Sequence, residues 1–189
     1  SGGLYGAEVM LLNLIQEQTK LGLEADICSI GEPGAGEKPL EAEARKRGIK
    51  VKEFRCARFD IFGIFRMLKY AKEENFQLLH THGYKGDIQF GLIPQRLRNI
   101  PIVATLHGWT SAGSLSKMKI YEWLDARSLK HIDAVVAVSG AMISGLKNRK
   151  KINLHIINNG LPPLEFSSES GQRDKKTVLD NGIIDFCKD

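Results

Sequence analysis

Between residues 7 and 21 apolar side chains return at Val9, Leu12 and Ile15, with Met10, Leu11 and Leu14 widening the stripe and Gly22 following as a stop. This spacing predicts an amphipathic helix. Residues 24–30 mix Ala, Ile, Cys and Ser ahead of a Gly/Pro-rich stretch at 31–36, the pattern of a short buried strand running into a loop. A charged helix is predicted over 39–47. The alternation then repeats, with a strand at 49–54, a helix at 61–74, a strand at 77–81 and a helix over 86–97. Pro101 introduces the apolar run 102–106, a helix follows around 116–129, and residues 134–138 are nearly pure Ala and Val. A short helix at 143–147 and a strand at 154–157 complete the series.

Strands of about five apolar residues separated by amphipathic helices predict a parallel, doubly wound sheet with both faces covered. The expected fold class is therefore α/β. The first strand of such a sheet belongs before the Gly2-Gly3 turn, where the chain opens, so a central strand is expected to be missing and the chain reads as an excised fragment. After Gly160 the apolar period stops: Pro162-Pro163 and the polar residues 167–176 read as a linker, with a short helix over 178–186. The expected organisation is a Rossmann-like domain over 1–160 and a linker with a short helix over 161–189.

Composition narrows the function classes. The 189 residues are 42% hydrophobic, 26% charged and 7% aromatic, an ordinary globular profile that excludes disorder, collagen and coiled coil. Lys plus Arg is 27 against 22 Asp plus Glu, so the net charge is +5, mildly basic and not the charge pattern of a nucleic-acid partner. Charged residues interrupt every apolar run before the roughly 20 residues of a membrane span. Three widely spaced cysteines, Cys28, Cys56 and Cys187, form no C-x-x-C pair, which fits a reducing cytoplasm. The basic clusters at 117–119 and 147–151 read as solvated faces, with peripheral contact to anionic lipid at the inner face of a membrane as the minor alternative.

In a doubly wound sheet ligands bind beyond the carboxyl ends of the strands. Here those ends read His80-Thr81-His82-Gly83, His107-Gly108-Trp109, Ser139-Gly140 and Asn158-Asn159-Gly160, so four polar strand ends are expected on one edge. At the start, Gly2-Gly3-Leu4-Tyr5-Gly6-Ala7-Glu8 leads into a helix whose first N–H groups can hold a phosphate or diphosphate, or is a plain glycine turn. It is neither G-x-G-x-x-G nor a Walker loop. His80 and His82 are read as divided between the two faces of their strand, His82 toward the cleft and His80 into the structure. With no Cys or carboxylate ligand beside them, no metal site is expected. Tyr84 and Lys85 add an aromatic face and a cation near the same edge. His107 is placed to hydrogen-bond a ligand hydroxyl at a cleft floor, or else simply caps its strand. His131 and His155 read as structural or surface residues. Paired carboxylates for hydrolysis, a D-x-D metal pair and a G-x-S-x-G elbow are all lacking.

Taken in order, the Gly2-Gly3 turn with Gly6-Ala7-Glu8, His80-Thr81-His82-Gly83, Thr105-Leu106-His107-Gly108 after Pro101, Val138-Ser139 after Asp133, and Ile157-Asn158-Asn159-Gly160 resemble the N-terminal half of glycosyltransferase family 4. The resemblance covers nearly all of residues 2–160. It implies the GT-B architecture, in which two Rossmann-like domains face each other across a cleft, the first mainly binding acceptor and the second the nucleotide sugar. By the same resemblance Gly2 and Gly3 approach the donor diphosphate and His107 contacts the transferring sugar. His82, Tyr84, Lys85 and Trp109 line the acceptor side, with Ser139, Asn159 and Gly160 along the cleft edge.

The resemblance also implies a cytoplasmic, retaining transferase. It moves a sugar from a nucleotide diphosphate to an acceptor hydroxyl in polysaccharide or glycolipid synthesis, with no cofactor and no essential metal. The expected partners are the nucleotide sugar, the acceptor and a missing C-terminal domain, without which the fragment is expected to be inactive. Two alternatives stay open: a nucleotide-sugar epimerase of the same architecture, and a non-catalytic scaffold that retains the fold.

Overall fold

The computed structural model describes residues 4–57, 60–107, 123–124, 127–145, 152–160 and 183–188. Seven strands form one sheet: β1 (Glu24–Gly31), β2 (Val51–Arg55), β3 (Leu78–His82), β4 (Ile102–Leu106), β5 (Ala134–Ala137), β6 (Leu154–Ile156) and β7 (Ile183–Lys188). Among the described residues these helices accompany them: α1 (Gly6–Lys20), α2 (Pro39–Lys46), α3 (Ile61–Glu73), α4 (Tyr84–Gly91) and α5 (Gln95–Arg98). The spatial order is β2-β1-β7-β3-β4-β5-β6, with every neighbouring pair parallel except the two that involve β7.

Strand alternation divides the core into two layers. On one face Ala25 and Ile27 of β1 meet Leu11, Leu12 and Ile15 of α1 and Leu40 and Ala44 of α2. On the other, Cys28, Leu79, Ile102, Ala104, Leu106 and Val135 pack with Ile64, Met67 and Leu68 of α3 and Phe90 of α4. Helices on both faces of a mainly parallel sheet make this the α/β, Rossmann-like architecture that the alternating pattern predicts.

Local chemistry places each helix. The Glu8 carboxylate accepts the Tyr5 N–H at 2.8 Å and so satisfies a donor at the start of α1. Pro39 opens α2, where Glu41 accepts the Lys38 N–H at 2.9 Å. The fully buried Thr81 and Asp87 hydrogen-bond to each other and tie α4 back onto β3. Gly91 lets α4 approach closely, because a Cβ there would lie 2.9 Å from both the Cβ and the carbonyl oxygen of Ser128.

Three expected elements need correction. The single helix over 86–97 is two: α4 ends at Gly91, and Pro94, which lacks an N–H and disfavours helix at the residue before it, separates it from α5. The short helix at 143–147 is a 3₁₀ turn over Gly140–Gly145, as far as the described residues reach. Residues 183–186 of the helix expected over 178–186 belong to strand β7, while 178–182 lie outside the described residues. The helix expected at 116–129 also falls mostly outside them, apart from helical residues at 123–124 and 127–128 and a 3₁₀ turn at Leu129–His131.

The β7 register shows why its local pattern misled. Ile184 pairs with Cys28 on one side and Thr81 on the other, so β7 is hydrogen-bonded on both edges in the position where the sequence reading lacks a central strand. Two complete ladders outweigh the weak helical preference of a short segment.

Candidate functional site

The parallel strands β1, β3, β4, β5 and β6 bring their carboxyl ends to one edge. Two backbone bonds extend the ladders there: the Val138 N–H donates to Leu106 O at 3.4 Å and the Ile157 N–H to Ala137 O at 3.1 Å. Ser139, Asn159 and Gly160 follow directly, Ser139 half-buried and the other two exposed. Lys85 sits half-buried in the first turn of α4. Tyr84 opens that helix. Gly2, Gly3 and Trp109 lie outside the described residues.

The centre of the edge is a run of imidazoles. His80 and His82 share one face of β3, as residues two apart on a strand must, and their ring centroids are 4.1 Å apart. The expected division of this pair between opposite faces is therefore corrected. His80 Nε2 lies 2.7 Å from Thr105 Oγ1 on β4, and the His82 ring stacks on that of His107 at 5.5 Å with 25° between planes. His82 Nδ1 and His107 Nε2 are 3.2 Å apart, a hydrogen bond whose direction is set by the tautomers of the two rings. The ends of β3 and β4 are thus in direct contact through these two rings.

Burial grades along the run. His82 is 5% exposed and His80 9%, whereas His107 is half-buried at the end of β4. Burial drives the His107 pKa down from 6.5 to about 4, helped by the positive charge that His82 and His80 can carry. At neutral pH His107 is therefore an uncharged imidazole, able to donate one hydrogen bond and accept another.

The turn after His82 has a backbone that favours glycine. Gly83 has φ 109° and ψ 155°, a conformation costly for any residue with a Cβ, and it swings the chain from β3 into α4.

The sequence reading singled out neither Thr105 as a partner of His80 nor Lys38 as a cation on this edge. The Lys38 ammonium donates to the carbonyl of Ile30 near the end of β1. Burial lowers the pKa of Lys38, while Glu41 and Glu8 pull it upward. A Lys-Pro step before a helix signals α2 but does not reveal where the lysine side chain folds. Outside the site, His131 and His155 are exposed, as surface histidines. Among the described residues no three His, Cys, Asp or Glu side chains are grouped to hold a metal ion. No helix among them is long and apolar enough to cross a membrane.

The profile described as Glycosyltransferase Family 4 matches residues 5–163, from the start of α1 to just beyond the last strand end of this edge. The chain belongs to glycosyltransferase family 4. No curated protein matches it. The matched span contains the whole imidazole run and all the described parallel strands, so the family assignment and the candidate site rest on the same residues.

Proposed function

We propose that this family 4 domain is the acceptor-side half of a retaining glycosyltransferase that moves a sugar from a nucleoside-diphosphate sugar to an acceptor hydroxyl in polysaccharide or glycolipid synthesis. The observation that carries the reading is His107, a neutral imidazole at the end of β4 held by His82. A neutral ring suits hydrogen bonding to sugar hydroxyls, which both donate and accept. With a pKa near 4 it is poorly matched to general acid catalysis at neutral pH, so its role is to orient the sugar.

In the proposed reaction the bond from the anomeric carbon to the diphosphate oxygen breaks. A bond to the acceptor oxygen forms, and the acceptor proton leaves with the diphosphate. The N–H groups at Gly2-Gly3 and the start of the following helix stabilise the leaving group, together with basic side chains of a second, nucleotide-sugar domain. Tyr84, Lys85 and Trp109 face the acceptor, and Ser139, Asn159 and Gly160 border the cleft. No essential metal takes part.

The test measures nucleoside-diphosphate release by the full-length parent protein from a panel of nucleotide sugars, in excess chelator, with and without cell-extract acceptors. Acceptor-stimulated release that survives chelation and falls by about a hundredfold in His107→Ala supports the reading. Release that needs no acceptor, or is indifferent to His107→Ala, overturns it.

A further inference from the structure

The bond between His82 and His107 says which atom of His107 is available to a ligand. Nε2 of His107 is engaged by His82 Nδ1 at 3.2 Å, and among the described residues His107 makes no other hydrogen bond. Among the described residues, Nδ1 is therefore the nitrogen without a partner. His82 is itself confined: it is 5% exposed, its ring lies 4.1 Å from the tilted ring of His80, and His80 is anchored to Thr105 at 2.7 Å. The chain turns out of β3 immediately after it, at Gly83 with φ 109°.

From this geometry we propose that His82 is a positioning residue, whose Nδ1 holds Nε2 of His107 so that one tautomer of His107 presents Nδ1 to the substrate sugar. The part that concerns the sugar rests on the transferase reading above; the tautomer itself does not. One nitrogen of a neutral imidazole carries the proton, so fixing the role of Nε2 fixes whether Nδ1 donates or accepts. The His80–Thr105 contact acts one step further back, keeping the His82 ring from turning. The chemistry recognised at Nδ1 is a single hydroxyl group of a sugar.

The experiment compares His82→Phe, His82→Asn and His82→Gln. An asparagine amide places a polar atom where Nδ1 of histidine stood, a glutamine amide places it near the position of Nε2, and phenylalanine keeps the ring without either. Long-range proton–nitrogen NMR of the ¹⁵N-labelled chain reads the tautomer of His107 directly. The expected result is one dominant tautomer in the native chain and in His82→Asn, and a mixture in His82→Phe and His82→Gln. A native mixture, or the same spectrum for Asn and Gln variants, overturns the proposal even if His82→Phe fails to fold.

In the full-length parent, kcat for sugar transfer is expected to fall about tenfold in His82→Gln with KM changed by less than about threefold, and His82→Asn is expected to recover most of it. Equal kcat in the two variants overturns the role in transfer. Loss of the single tautomer without any transfer by the native parent overturns the transferase reading and leaves the hydrogen bond standing.

Discussion

Arg55 closes on Glu41 through both terminal nitrogens, Nη1 to Oε1 at 2.9 Å and Nη2 to Oε2 at 2.8 Å, and the Glu41 side chain is wholly buried. This pair joins α2 to β2 beneath one face of the sheet. Burial by itself raises the carboxyl pKa of Glu41, but the hydrogen bonds from Arg55 and the Lys38 N–H prevail and hold it below its ordinary value. Removing the cation strands a buried carboxylate. Arg55→Met is expected to cost about 3 kcal/mol at neutral pH, measured by chemical denaturation. Because the folded pKa is depressed, the stabilisation is present above the unfolded value and is lost as pH falls through the folded one. The deficit of the variant is therefore expected to shrink in acid.

The His107 pKa makes a second pH dependence, in a different window. Its folded value of about 4 lies below the unfolded 6.5, so between them the unfolded chain binds the extra proton. Stability is complete above pH 6.5 and declines as pH falls toward 4, by an amount on the order of 2–3 kcal/mol. Denaturation midpoints from pH 7 to 4 should show this slope, reduced in His107→Gln. An unchanged slope in the variant would assign the window to another group.

Gly83 couples stability to the site. At φ 109° and ψ 155° any Cβ strains the turn that follows His82, so Gly83→Ala is expected to cost on the order of 1–3 kcal/mol. Thermal melting checks the loss. The same variant should broaden the His82 and His107 imidazole resonances, whereas Gly34→Ala, also at positive φ but in the loop after β1, should leave them alone.

Among the described strands, β7 alone carries the hydrogen-bonded ladder from the β2-β1 pair to the four strands β3 to β6. A proline there removes a ladder hydrogen bond in a central strand. Ile184→Pro should destabilise the chain by about 3 kcal/mol or more. Amide hydrogen exchange should show protection falling first in β1 and β3, the two strands that β7 bridges. Protection lost equally across β5 and β6 at the same rate would contradict this order.

Much of the architecture was legible before any coordinates. The stripe Leu11, Leu12 and Ile15 and the short apolar runs of β1, β3, β4 and β5 fall where period and punctuation place them, because burying one face sets both the spacing and the end signals. The gathering of His82, His107, Ser139 and Asn159 on one edge was legible for a related reason. Once strands are parallel and joined by helices, all their carboxyl ends must point the same way.

Other features depended on partners that no local window contains. Residues 183–186 carry no decisive period of their own and become strand because β1 and β3 offer open ladders on both sides. The ring-to-ring contact of His80, His82 and His107, and the burial that lowers the His107 pKa, depend on strand pairing between residues far apart in sequence. Residue spacing along the chain therefore determined the elements, their order and the edge where chemistry gathers. Only the tertiary structure decided which strand completes the sheet and which nitrogen of His107 is held, because hydrogen-bond partners and desolvation are properties of the assembled sheet.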